Sequence, residues 1–316
     1  MGSYTKIDRA RAGEILSLYD LGEVVELTPL SLGISNSNYK VETNKGSWLL
    51  KISNDKNREQ LAKEQKILIY LQAKNYQYSL SPLPLKNGGV IYDHKSEFGV
   101  IYPFIDGIPP GPGDQTCEQI GRALADLHKL CPNDSDIIEF ALRPHEEVGY
   151  GPREILNYTY EERCPEDFRQ AVEAIFPDQL RSFTEAGFER CLIHGDLYYD
   201  NTLFDQNHLA KVLDFEQAGI GEAILDLGIS ISGTCLEKGF LSDALINSYL
   251  RGYESVRPLP PKEKQELDQA IALGLLSIAL WRIKRFRDGD LDPTMANSYL
   301  ELVTKALIYS QKKRSL

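Results

Sequence analysis

Asp196, Asn201 and Asp214 stand five and then thirteen residues apart, in the stretches Cys191-Leu-Ile-His194-Gly195-Asp196-Leu-Tyr-Tyr-Asp200-Asn201 and Val212-Leu213-Asp214-Phe215-Glu216. A carboxylate, an amide and a second carboxylate in that order suit phosphoryl transfer to a hydroxyl. The attacking hydroxyl needs a carboxylate to accept its proton, and Mg²⁺ on nucleotide phosphates needs oxygen donors. Asp196 is read as the base, and Asn201 and Asp214 as the metal donors. The apolar flanks Cys191-Leu-Ile, Thr202-Leu-Phe and Val212-Leu213 predict short strands that carry the three groups at their ends. A polar hairpin turn beside an acidic strand end is the bland alternative, and the full set at this spacing argues against it. His194 and His128 read as structural histidines, Asp226 as a carboxylate holding the loop through backbone amides, and Asp200 as a metal or substrate contact or, equally, a solvated loop carboxylate.

The elements that must position these groups follow from periodicity. Residues 8–20 and 57–74 predict helices; 24–32, 38–43, 47–53, 89–93 and 97–103 predict strands. Asp106-Gly107-Ile-Pro-Pro-Gly-Pro-Gly113 breaks regular structure and divides 1–105 from 106–316. Beyond it, helices are expected over 115–130, 152–163, 166–188, 222–235, 239–254 and 262–287. The expected fold is α+β and bilobal. A nucleotide-binding N-terminal lobe has an antiparallel sheet and one helix. A larger, mostly helical C-terminal lobe carries catalysis and acceptor binding. This is a protein-kinase-like arrangement.

For the nucleotide, Gly33-Ile34-Ser35-Asn36-Ser37-Asn38 lies between two predicted strands, and Gly33, Ser35, Asn36, Ser37 and Asn38 can approach phosphates. A plain β-hairpin is its bland reading. Lys51, on the apolar strand Trp48-Leu-Leu-Lys51-Ile52, wants a partner. Phosphate binding gives it one role, and a helical glutamate, Glu64 ahead of Glu59, would hold it. A strand-end lysine reaching solvent is the alternative. Val100-Ile101-Tyr102-Pro103-Phe104-Ile105 would meet adenine, with Tyr102 closing the back of the pocket and Phe104 and Ile105 at its edge.

The net charge is −11, from 46 acidic and 35 basic residues, which argues against nucleic acid as a partner. Five scattered cysteines without a C-x-x-C pair read as reduced thiols of a cytoplasmic protein. No signal peptide is visible, Lys6 stands where a myristoylation signal wants Ser or Thr, and the longest apolar run, 271–281, is too short to span a bilayer.

Gly33-Ile-Ser-Asn-Ser-Asn-Tyr, Ile120-Gly-Arg-Ala-Leu-Ala-Asp-Leu-His128, His194-Gly-Asp with Asp200-Asn201, and Asp214-Phe-Glu together resemble the aminoglycoside phosphotransferase and choline kinase superfamily. Those proteins phosphorylate small-molecule hydroxyls with ATP and Mg²⁺. Within it, Leu18-Tyr-Asp-Leu-Gly22, Asp226-Leu-Gly-Ile-Ser, Gly252-Tyr-Glu-Ser-Val-Arg257-Pro-Leu and Ala279-Leu-Trp281-Arg282-Ile-Lys-Arg285-Phe are similar to type II homoserine kinases, so the likeness runs from about residue 15 to about 290. Those kinases often carry Ala at Gly195 and Phe-Pro at Tyr198-Tyr199, and commonly differ at Lys51 and in the Asp-Phe-Glu triplet.

The resemblance implies L-homoserine as acceptor, whose carboxylate wants a fixed guanidinium; Arg282 and Arg285 are candidates, with a solvent-facing basic strip as the alternative. Choline would instead want an aromatic cage, which Tyr198, Tyr199 and Trp281 could supply. Ethanolamine, a sugar or an aminoglycoside remain alternatives, as does a binding protein of the same fold without activity. A protein kinase is disfavoured, since no Ala-Pro-Glu segment follows Asp214.

Overall fold

The computed structural model describes residues 4–30, 36–147, 149–177, 180, 183, 187–289 and 292–315. The chain packs as two compact units. One is residues 1–107 joined by Ile138–Leu142; the other is Ile108–Ile137 and Arg143–Leu316.

The first unit opens with α1 (Arg9–Leu16), whose first turn is capped by the Asp8 carboxylate accepting from the Arg11 N–H. Five strands follow, β1 (Val24–Leu30), β2 (Asn36–Thr43), β3 (Gly46–Ser53), β4 (Ile91–His94) and β5 (Glu97–Pro103), in the antiparallel order β1-β2-β3-β5-β4. Between β3 and β4 runs α2 (Arg58–Ala73), started by a capping box in which Asn57 and Gln60 exchange side-chain and backbone hydrogen bonds. Alternation along β3 does the positioning. Leu50 and Ile52 are fully buried with Ala12, Ile15 and Leu16 of α1 and with Tyr39 and Val41 of β2. Each of the leucine, isoleucine and valine side chains contributes roughly 1.5–3 kcal/mol of burial, and the two-residue period then turns Lys51 to the opposite face.

The second unit holds α3 (Asp114–His128), the start of α4 (Asp134–Phe140), α5 (Pro152–Thr159), α6 (Glu166–Ile175), α7 (Ala223–Thr234), α8 (Asp243–Glu254), α9 (Pro261–Arg282) and α10 (Tyr299–Arg314). Three small antiparallel pairs stand among them: β6 (Arg190–Ile193) with β9 (Gly219–Glu222), β7 (Thr202–Asp205) with β8 (His208–Val212), and Leu236–Glu237 with Phe240–Leu241. Helices α7 and α9 cross where glycines meet. A Cβ on Gly228 would lie 2.2 Å from the Ala270 carbonyl oxygen, and one on Gly274 2.8 Å from the Gly228 backbone.

Several boundaries differ from expectation. The helix expected over 166–188 ends at Ile175, because Pro177 drives Phe176 out of the helical region to φ −129°. The helix expected from 239 starts at Asp243, because Lys238 and Gly239 adopt positive φ and turn a two-residue hairpin, Leu236–Glu237 against Phe240–Leu241. The helix expected to run to 287 changes to a π-turn after Arg282. Helices α4 and α10 were not anticipated. Among the described residues no helix is long and apolar enough to cross a membrane.

Candidate active site

In the first unit, Lys51 Nζ lies 3.6 Å from Glu64 Oε1 on α2, whose side chain is buried. Glu64 Oε2 also takes Lys56 Nζ at 2.6 Å. Burial pushes the Glu64 carboxyl up, but the two lysines outweigh it and hold the carboxyl below its ordinary value. Glu59, the second candidate, pairs instead with Lys63 near the surface. Lys56 was missed by sequence reasoning: it sits in the turn before the α2 cap and carries no periodic signal.

Asn36, Ser37 and Asn38 lie in strand β2 rather than in a loop, paired with Ser53, Ile52 and Lys51. Directly opposed residues share a face, so Asn38 accompanies Lys51, and Asn36 follows two residues away. The Asn36 Oδ1 is covered and has no partner among the described residues. Ser37 faces the other way: it is fully buried and accepts from Thr5 N at 2.7 Å and Asn54 Nδ2 at 2.8 Å, so its hydroxyl ties the strand internally instead of facing a phosphate. Gly33 and Ser35 lie outside the described residues. The Tyr102 hydroxyl donates to Gln65 Oε1 at 2.9 Å inside the unit, Phe104 N donates to the Ser47 carbonyl with its ring under Lys40 Nζ, and Ile105 follows half-buried.

In the second unit, β6 leads into His194-Gly195-Asp196 and the β7–β8 hairpin explains the thirteen-residue spacing. Thr202 pairs with Val212, so Asn201 and Asp214 return to the same open end, tied by Leu213 N donating to the Asn201 carbonyl at 2.8 Å. The Asn201 Nδ2 donates to the Asp196 carbonyl at 2.8 Å and to its carboxylate at 3.3 Å. That leaves the Asn201 amide oxygen as a possible ligand. Asp214 has φ 62° and ψ 63°, a left-handed conformation that a short polar residue tolerates and that recurs at functional turns. The Asp196 carboxyl is pushed well above its ordinary value by burial and then by the Asp214 and Asp200 carboxylates. An amide oxygen, a carboxylate and this excess of negative charge fit a hard divalent cation that shares its shell with phosphates and water.

A buried network holds the loop. Asp226 accepts from His194 N at 2.7 Å and Gly195 N at 2.8 Å, and from His128 Nε2 at 3.0 Å. Burial pushes its carboxyl up, and these partners bring it below its ordinary value. His128 Nδ1 meets Tyr253 Oη at 2.7 Å, and Arg257 Nη1 donates to Tyr253 Oη at 3.0 Å. Arginine only donates. The Asp226 carboxylate accepts, so His128 carries a hydrogen on Nε2, and the Tyr253 hydroxyl links His128 Nδ1 to Arg257. Glu263 and Glu189 anchor Arg257 at 2.7–2.9 Å. His194 uses both ring nitrogens structurally, Nε2 on the Leu213 carbonyl and Nδ1 accepting from Asp196 N. Tyr253 and Arg257 are visible in the sequence only as part of a resembling stretch; their bracing role is a product of the packing.

Of the acceptor candidates, Tyr198 lies with its ring against Gly233, and Asp200 is exposed. Arg282 Nη1 donates to the Ser298 carbonyl at 2.8 Å, and Arg285 stacks on Trp281 at 5.2 Å.

A loop clamped by a buried carboxylate, beside a hairpin that returns Asn201 and Asp214 to one end, is carried here on a fold shared with kinases of small molecules. The chain belongs to the phosphotransferase enzyme family, whose family model matches residues 26–259. It is 25% identical over 307 residues to the homoserine kinase of Paraburkholderia phytofirmans, covering 90% of this chain and 88% of that one. It is 28% identical over 292 residues to the homoserine kinase of Hyphomonas neptunium, covering 87% and 85%. In fold it is similar to an amicoumacin kinase in complex with AMP-PNP, Ca²⁺ and Ami (TM-score 0.69, 14% identity, 97% and 94% covered). It is also similar to the microcompartment-associated aminopropanol kinase (TM-score 0.66, 18% identity, 98% of each chain covered).

Proposed function

We propose that this enzyme transfers the γ-phosphoryl group of ATP to the hydroxyl of a small amino-bearing alcohol, with L-homoserine as the first choice. The observation that carries the phosphotransfer is the Asp196–Asn201 contact at 3.3 Å on a loop clamped by Asp226. The choice of homoserine rests on two relatives of that name aligned over 85–90% of both chains.

In this reading Asp196 orients the acceptor hydroxyl and takes its proton as the new O–P bond forms. Asn201 and Asp214 would hold Mg²⁺, which when bound supplies neutralising charge on the phosphate oxygens. Lys51, steadied by Glu64, contacts the phosphates, and Asn36 and Asn38 share its face. Asp226 keeps the base from drifting, since a misplacement of about 1 Å can cost a hundredfold.

A second acceptor, an amino alcohol without a carboxylate, is favoured by the two arginines: Arg282 already donates to Ser298 and Arg285 lies over Trp281. Mg²⁺-dependent ADP release separates the readings when L-homoserine, L-serine, ethanolamine, choline, a hexosamine and an aminoglycoside are compared. Stimulation by homoserine well above the others supports the first. Stimulation by ethanolamine instead moves the assignment to the second. Release with none of them rejects the phosphotransfer reading.

A further inference from the structure

Glu64 serves two lysines unequally. Its carboxylate is buried, with Lys56 Nζ at 2.6 Å on Oε2 and Lys51 Nζ at 3.6 Å on Oε1. The first contact is a hydrogen-bonded ion pair; the second is longer and held mainly by charge. Lys56 is set in place by its turn. Its carbonyl accepts from Ser53 Oγ at 3.2 Å at the end of β3, and the next residue, Asn57, caps α2. Asn54 is fixed as well, donating to Ser37 Oγ at 2.8 Å and accepting from Thr5 Oγ1 at 2.9 Å. A turn tied on both sides of Lys56 leaves its side chain little room to wander, and brings the ammonium to Glu64, nearly two turns into α2.

Charge decides what this trio can do. A buried glutamate paired with Lys51 alone would be neutral overall, and phosphates arriving at Lys51 would meet a carboxylate of their own sign just behind it. With Lys56 on the other oxygen, the trio carries one net positive charge. Glu64 then keeps a cation of its own when Lys51 gives its charge to a ligand, and a buried carboxylate is not left unpaired. The exposures agree with that division. The Lys51 side chain is 19% exposed and the Lys56 side chain 12%, so Lys51 is the more open of the two, and it shares its strand face with Asn38.

We propose that Lys56 is a positioning residue for nucleotide binding: it holds the Glu64 carboxylate, so that Lys51 presents its charge to the nucleotide phosphates in place of neutralising Glu64. This rests on the nucleotide-binding half of the proposed function and goes beyond it, because the phosphate-side charge belongs to three residues and not to the Lys51–Glu64 pair. Lys56 acts through Glu64 and does not touch the phosphates itself.

The test titrates Mg²⁺·AMP-PNP, a non-hydrolysable ATP analogue, by isothermal calorimetry into the parent, Lys56→Gln, Lys56→Arg, Glu64→Gln and the Lys56→Gln/Glu64→Gln double variant, so that binding is read without any acceptor. Thermal unfolding accompanies each. Lys56→Gln keeps most of the stem and an N–H donor for Glu64 but loses the charge. Its dissociation constant should be about tenfold above the parent's, the order of one partly screened charge a few ångströms away. Lys56→Arg keeps the charge and should stay within about threefold of the parent. In the Glu64→Gln background the same Lys56→Gln change should shift the constant by less than about twofold, because the carboxylate it manages is gone. A merely structural Lys56 would lower the melting temperature of Lys56→Gln and leave its dissociation constant within about twofold of the parent's, which would overturn the proposal. An equal loss of affinity in both backgrounds would overturn it too, by showing that Lys56 meets the phosphates directly. A parent that binds no Mg²⁺·AMP-PNP rejects the nucleotide reading and this proposal together, whereas one that binds it and turns over no acceptor counts against the phosphotransfer reading alone.

Discussion

At the scale of single residues, function rests on a few polar atoms whose partners are fixed by geometry. Asp196 has its backbone carbonyl and carboxylate tied to Asn201, so replacing the carboxylate by an amide keeps the shape and removes the proposed base. Asp196→Asn should lower kcat by about 10²–10⁴-fold, the usual range for a general base, with the KM for ATP unchanged. Steady-state kinetics with the preferred acceptor check this, and a variant within tenfold of the parent would remove Asp196 from the role. Glu64 makes a second prediction. Its folded carboxyl lies below the ordinary glutamate value, so its contribution to stability is complete above that value and disappears as pH falls through the lower, folded one. Glu64→Gln should therefore be less stable than the parent at pH 7, and the gap should close below about pH 4.3, as followed by urea midpoints across pH 3–7. The pairing of Lys51 with a helical glutamate was legible from spacing. Lys56 was not, because a turn residue has no period to betray its direction.

At the scale of elements, strands and hairpins deliver the chemistry and buried networks hold it still. The β7–β8 hairpin converts thirteen residues of sequence into adjacency of Asn201 and Asp214. Helices α3, α7 and α8 supply His128, Asp226 and Tyr253, which join with Arg257, just beyond α8, in a chain of hydrogen bonds ending on the His194–Asp196 loop. Arg257 and Glu263 are 8% and 2% exposed, so removing one leaves the other charged and buried. Arg257→Met should cost about 3–5 kcal/mol of unfolding free energy, measured by urea unfolding. A loss under 1 kcal/mol would show the pair to be dispensable. The sequence marked this stretch only as part of a resemblance, without saying what it does, since a role that consists of reaching three other elements exists only when those elements are assembled. The misjudged helix ends have local causes instead: Pro177, and the positive-φ pair Lys238-Gly239, override the apolar periodicity that suggested longer helices.

At the scale of the whole molecule, the chain is acidic, with a net charge of −11, yet is read as a binder of a polyanion. The two are compatible because the phosphates would be met locally, by Lys51, Asn38 and a metal, and not by the overall field. Mg²⁺·ATP at 100 times its dissociation constant should stabilise the native state by about 2.7 kcal/mol. Differential scanning calorimetry should accordingly show a higher melting temperature with Mg²⁺·ATP than with EDTA and ATP. Equal melting temperatures in the two conditions would oppose metal-assisted nucleotide binding.

Read alone, the sequence determined the reaction class and proposed its residues, because Asp196, Asn201 and Asp214 lie close along the chain and short-range geometry preserves their spacing. It also determined the strand and helix content that a two-residue or 3.6-residue period can encode. Tertiary structure alone decided that Ser37 turns inward, that Lys56 shares Glu64, that Tyr253 and Arg257 brace the loop, and that the Tyr198 hydroxyl is buried with no partner among the described residues. Each of those depends on which distant side chains arrive at 3 Å, and contacts between residues far apart in sequence leave no period in it.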